Sequence, residues 1–239
     1  MKLDIQPELN VVAVLPLFHF GVPGKYGPLG TGLSEMIRTD LAKVQNIKVV
    51  ERVRLWELLD LLKKEGLKVS IQNNNVRLGK LLQARLLVSG VFDVFDDKRI
   101  SMEVASVDLI NVNSNFSSTM VQEDLLVNLY YLEKDFVFRL VDEMGIQLSS
   151  QEWREIQQIP TQNLDAFLSY SSGLKEENSR AFKNAADYFR KALELDASFK
   201  QAADKLEEME SIDFVGKSLS DALKRAIEIE KKFRKTIKN

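Results

Sequence analysis

Apolar and polar positions follow two different rhythms along this chain, and the changes of rhythm mark its parts. Val11–Phe18 (VVAVLPLF) is an apolar run rich in β-branched residues, the pattern of a buried strand. A glycine-rich stretch follows, with Gly21, Gly24, Gly27, Gly30 and Gly32 around Pro23 and Pro28. Across Leu29–Val44, Leu33, Met36, Ile37, Leu41 and Val44 recur at helical spacing. Ile47–Glu51 predicts a short strand. Val53–Glu65 predicts a helix carrying Leu55, Trp56, Leu58, Leu59 and Leu62, closed by Gly66. Asn73–Ala84 predicts another, opened by capping asparagines. Period two then takes over. Leu86–Phe95 and Arg99–Ile110 predict strands joined tightly at Asp96-Asp97-Lys98, and Asn111–Ser114 turns the chain into a third, Asn115–Gln122. Leu125–Ile146 returns to helical spacing and stops at Gly145.

Helices between the early strands require parallel crossovers, whereas the short turns between the late strands require antiparallel pairing. The expected fold is α/β: a mixed five-stranded sheet with flanking helices over residues 1–148. Pro160 breaks the chain after a linker helix in 149–160. From residue 161 to 239 every periodic segment is helical: Asp165–Glu177, Lys183–Leu195, Phe199–Ile212 and Leu219–Lys235. The last carries Leu219, Leu223, Ala226, Ile227, Phe233 and Ile237 on one stripe, after Ser218 and Asp221 in a capping-box arrangement. It reads as a cap on the helices before it, with a partner surface as the other reading.

Composition narrows the chemistry. The 239 residues carry 33 Lys+Arg against 35 Asp+Glu, a net charge of −2, which argues against a nucleic-acid partner. There is no Cys and one His, so thiol nucleophiles, zinc fingers and His-rich metal sites are excluded. No apolar run approaches the ~20 residues of a membrane span. Met1-Lys2 precedes no apolar core, so the chain is either cytoplasmic or has lost an export signal, with a lipid-anchoring Cys upstream of Met1.

In the helical part, Gly173, Ala185, Tyr188, Phe189 and Ala192 stand in a specific arrangement. Small residues permit close contact of two helices and Phe189 fills the gap between them. Residues 163–199 (NLDAFLSYSSGLKEENSRAFKNAADYFRKALELDASF) resemble one tetratricopeptide (TPR) repeat. Ala197 stands where a Pro is usual, and Ser169 and Ser172 where bulkier residues are common. Such a resemblance implies that these helices dock a protein partner.

The first part resembles the CsgG family and the related TolB amino-terminal-like domains. The resemblance spans residues 11–148 and rests on the ordered segments VVAVLPLF, LGTGLSEMIRTDL, IKVVERVRLWELL and VRLGKLLQARLLVSGVF. Pro16, Gly30, Gly32, Glu51, Arg52, Leu78, Gly79 and Gly90 stand at matching places; Ala84-Arg85-Leu86 departs from the pattern. What it implies is a non-enzymatic, cell-envelope protein of assembly or transport, periplasmic and outer-membrane associated, that forms homo-oligomers. Pore formation, which needs long membrane-spanning hairpins, does not fit the short turns and charged strands here.

No catalytic, cofactor or metal site is expected. The Gly21–Gly32 loop enters a helix N-terminus, but GKYGPLGTG matches neither GxxxxGK[ST] nor GxGxxG, so its glycines read first as turn residues. A nucleotide site there is the lesser alternative, as is a cytoplasmic regulatory or sensory module. Lys25 and Tyr26 are expected as exposed loop tips touching a partner. His19 reads as structural, Glu51 and Arg52 as an ion pair at a strand–helix junction, Asp96 and Asp97 as turn residues, and Trp56 as core. The basic residues Lys231, Lys232, Arg234, Lys235 and Lys238 suit a helix C-terminus.

Overall fold

The computed structural model describes residues 8–21, 24–64, 81–109 and 117–212. The expected helix N-terminal to Leu81, Gly66, Leu78, Gly79, the turn at 111–114 and the terminal helix with its basic run lie outside them.

The chain runs β1 (Glu8–Val14), β2 (Phe18–His19), α1 (Leu29–Leu41), β3 (Lys48–Val49), α2 (Arg52–Lys64), β4 (Ala84–Phe95), β5 (Arg99–Asp108) and β6 (Ser117–Leu125). A 3₁₀ turn, Leu126–Asn128, leads into α3 (Leu129–Glu143), followed by α4 (Ser150–Ile156), α5 (Leu164–Asn178) and α6 (Phe182–Leu195). A further helix, α7, covers residues 200–212.

The sheet is mixed, in the order β3-β1-β4-β5-β6, with parallel pairs where helices intervene and antiparallel pairs across β4-β5-β6. It has six strands rather than the expected five, because the run Val11–Phe18 is broken. Leu15 donates to Val88, but Pro16 has no N–H, and Leu17 turns away to donate to the Gly30 carbonyl. The chain then rejoins β4 as β2, pairing Phe18 with Val91 and His19 with Phe92. Ala84, expected as the end of a helix, begins β4; Gln83, at φ +57°, makes the reversal. Asp96 and Asp97 both have positive φ, and Lys98 donates to the Phe95 carbonyl at 3.0 Å, the tight hairpin their sequence predicts.

Alternation along β4 divides the two faces. Val88 and Phe92 join Val12, Val14, Met102 and Val104 under α1 and α3. Leu87 joins Val11, Ala13 and Leu15 on the other face, under Leu55 and Leu62 of α2. Trp56, expected in the core, is only half-buried.

The helical part packs against the sheet domain instead of standing apart from it. One core runs from Val12 and Leu33 through Phe136, Phe167 and Phe189 to Phe199 and Met209. Two close approaches explain this. A Cβ on Gly32 would lie 1.9 Å from Ser171 Oγ, so α1 and α5 meet where both carry small residues. Ser171 is buried there and donates to the Phe167 carbonyl at 2.7 Å; of the two serines that depart from the repeat pattern, Ser169 is buried and Ser172 is half-buried, donating to the Leu168 carbonyl at 2.9 Å. On its other side α5 meets α6, where a Cβ on Gly173 would lie 2.5 Å from the Phe189 ring. Asn163 caps α5 through Ala166 N–H and also donates to Leu195 O, while Thr161 donates to Asp196 at 2.5 Å, tying the ends of the helix pair. The linker helix α4 has a Ser149–Glu152 capping box and is fastened to the end of α1: Gln45 N–H donates to Glu152 and Lys43 to the Glu155 carbonyl.

Candidate functional site: buried polar junctions and an open sheet face

The helix end that the glycine loop enters is closed in by protein. Leu29, Gly30, Thr31 and Gly32, the first turn of α1, are all buried. A Cβ on Gly30 would fall 2.0 Å from the Leu17 carbonyl oxygen. The glycines let α1 press on the strand break and on α5, leaving its N-terminus against protein. Tyr26, expected at an exposed tip, is a buried residue whose phenol meets the exposed Asp97, and burial raises its pKa. Lys25 alone is exposed, 5.1 Å above the Tyr26 ring. Gly90 serves another close approach: a Cβ there would lie 2.4 Å from the Glu103 carbonyl oxygen.

Glu51 is exposed and is not the partner of Arg52. Arg52 is buried and bridges the two parts of the chain. Its Nη2 lies 2.5 Å from Glu177 Oε1 on α5 and its Nε 3.4 Å from Glu35 Oε2 on α1. Its Nη1 donates to Asn178 Oδ1 and to the Leu174 carbonyl. The sequence separations of these partners hide them from any local pattern.

A second buried junction joins α1 to α3. Lys134 pairs with Asp40 and lies 3.2 Å from Glu133 Oε2; Lys43 donates to Asp40 Oδ1 at 2.7 Å. Glu133 is fully buried. Desolvation first, and then the Asp40 charge, push its pKa up to about 8. Burial would lower Lys134, but Glu133 and Asp40 outweigh it and hold its pKa above the usual value. Asp40, Lys43 and Lys134 line a small cleft with Glu35, Gln158 and Gln201. A carboxyl whose pKa is raised on folding stabilises fully below its unfolded pKa and loses that contribution as pH rises through its folded value. Urea-unfolding stability should therefore fall between pH 5 and pH 9, with a slope of at most about 1.4 kcal/mol per pH unit from this group. Glu133→Gln, which mimics the neutral acid, is expected to flatten that slope; an unchanged slope in the variant would assign it elsewhere.

His19 stacks on Phe92, its ring 4.9 Å away, with Nε2 3.5 Å from Asp93 Oδ1. Asp93 also accepts from Val94 N–H. Alternation gave no sign of this pairing, because β2 is two residues long. Among the described residues no group of three or more His, Cys, Asp or Glu could hold a metal ion.

Several large apolar side chains are exposed at one end of the sheet. Paired residues point to the same face, so Phe18, Val91, Glu103 and Val121 form one row, and Phe95, Arg99 and Leu125 another. This is the face that α2 covers at the beginning of β4. At its other end Phe18 is 63% exposed, Val121 67% and Leu125 51%, and Phe95 and Phe20 are exposed as well. Of the TPR-like residues, Gly173, Ala185, Phe189 and Ala192 are buried in the α5–α6 contact and Tyr188 is exposed on α6.

No family model matches the chain and no curated protein matches its sequence. Among solved structures it is similar to lipoprotein GNA1162 from Neisseria meningitidis, at 14% identity and TM-score 0.39, over 59% of this chain and 99% of that one. It is similar also to the LpoB C-terminal domain from Salmonella enterica, at 12% identity and TM-score 0.34, over 50% and 86%. A PelC dodecamer from Paraburkholderia phytofirmans matches at 12% identity and TM-score 0.33, over 58% and 89%. No helix among the described residues is long and apolar enough to cross a membrane.

Proposed function

We propose that this chain is a non-enzymatic interaction protein of the cell envelope, one that associates with itself through its sheet domain and docks a protein partner on its helices. The observation that carries the reading is the open apolar sheet face. Phe18, Phe20, Phe95, Val121 and Leu125 are exposed over three strands and the segment after β2, with Glu103 and the Arg99–Glu123 ion pair interspersed among them; large exposed apolar side chains gathered among charged ones mark interaction surfaces. The buried polar groups, by contrast, serve structure: Arg52 and Lys134 spend their charges on neighbours inside the fold. The envelope assignment rests on the resemblance of residues 11–148 to the CsgG and TolB amino-terminal-like domains, and the docking role on the TPR-like pair α5–α6.

Crosslinking in cells tests this reading, with a photoreactive residue placed singly at Phe18, Val121 or Tyr188. A discrete adduct at twice the chain mass is expected from Val121, and one with a second protein from Tyr188; Phe18, three strands from β6, serves as the comparison position. No adduct from any of the three would contradict it.

A further inference from the structure

We infer that β6 is the self-association edge, and that it pairs antiparallel with β6 of a second copy to make one sheet continuous across a two-fold dimer. This deepens the proposed self-association and rests on it. Among the described residues no strand pairs with the outer side of β6. Folded proteins blunt such edges with Pro, Lys, bulges or very short strands. β6 is nine residues long, contains neither Pro nor Lys, pairs with β5 in unbroken register from Ser117 to Leu125, and confines its two charges, Glu123 and Asp124, to one end, leaving Ser117–Gln122 uncharged. The opposite edge, β3, has two residues, so head-to-tail growth from β6 onto β3 offers almost no backbone to pair. The symmetric contact uses the long edge twice and closes on itself.

Charge fixes the direction. The acidic residues Glu123 and Asp124 lie together near one end of β6. Parallel in-register pairing would set Glu123 against Glu123 and Asp124 against Asp124, which is destabilising for like charges. Antiparallel pairing centred on Val121 sets Glu123 against Thr119 of the second copy and carries the two acidic ends apart. Apolar surface accompanies the edge: Val121 (67% exposed) and Leu125 (51%) on the strand, with Val127 (64%) and Tyr131 (62%) just past its end. A stable dimer buries about 800 Å² on each partner, and here the backbone edge of β6 and these exposed side chains at its end are the surface available for it.

The chain has no Cys, which makes the test clean. In Val121→Cys the two thiols would face each other across the two-fold axis, with Cα atoms roughly 4.5–5.5 Å apart, within disulfide reach. Mild oxidation of the full-length variant should give a disulfide dimer in high yield, whereas Val53→Cys, equally exposed on α2, should not. Val121→Lys should shift the sedimenting species to monomer with its circular dichroism unchanged. A wild-type dimer in which Val121→Cys does not crosslink would overturn the β6 pairing and leave self-association standing. A wild-type monomer at all concentrations would overturn both.

Discussion

Arg52→Met is expected to lower stability by about 3 kcal/mol, the lower end of the cost of breaking a buried ion pair from one side. The guanidinium sits between Glu35 on α1 and Glu177 on α5, and all three residues are buried. Methionine keeps the volume and removes the charge, leaving two carboxylates without their shared partner. The cost is not greater because each keeps a second cation: Arg38 lies 2.5 Å from Glu35, and Lys205 lies 3.1 Å from Glu177. For a chain of this size such a loss lowers the Tm by roughly 6–12 °C. Urea unfolding provides the measurement. Arg52→Met combined with Glu177→Gln should cost less than the sum of the two alone, since the double variant no longer buries an unpaired charge there. A loss below about 1 kcal/mol would show that this junction does not hold the two parts together.

Phe189→Ala should cost about 3–5 kcal/mol, the usual range for emptying a buried phenylalanine site. Phe189 is fully buried, with its ring 5.6 Å from that of Tyr170, which in turn stands 4.9 Å from Phe199. Through Tyr170 of α5, Phe189 of α6 is thus joined to Phe199, the residue before α7. The complementary change, Gly173→Ala, places a methyl where the Phe189 ring already sits, and should cost about 1–3 kcal/mol. Gly173→Ala with Phe189→Leu should recover part of that cost. Strict additivity would mean that the two positions do not share a contact.

The parts of this fold that were legible from sequence are those set by local periodicity. The β4–β5 hairpin, the helical stripes of α1 and α3, and the small-residue contact of Gly173 with Phe189 each depend on residues close in sequence or on a recognisable spacing. The sheet direction followed from whether a helix or a short turn joined successive strands. What stayed hidden depends on distant partners. Tyr26 reads as a loop tip, but its side chain is buried and its phenol meets Asp97, 71 positions later. Arg52 reads as the partner of its neighbour Glu51, but its partners lie 17 residues before and 125 residues after it. Gly30 and Gly32 were legible as glycines needed for backbone freedom; the pressure of Leu17 and Ser171 that requires them was not. The exposed end of the sheet face is hidden in the sequence for a similar reason: the strand reads as ending at Gln122 and Leu125 as opening a helix, whereas β6 runs to Leu125, and among the described residues α2 covers only the beginning of β4.

The mass of the full-length protein in solution, followed by light scattering from micromolar to hundreds of micromolar concentrations, tests most directly the claim that this chain works through its surfaces. Self-association through an open sheet face predicts at least twice the chain mass at the upper concentrations, reverting to one chain mass in Val121→Lys. A single chain mass throughout, for the wild type as for the variant, would contradict it.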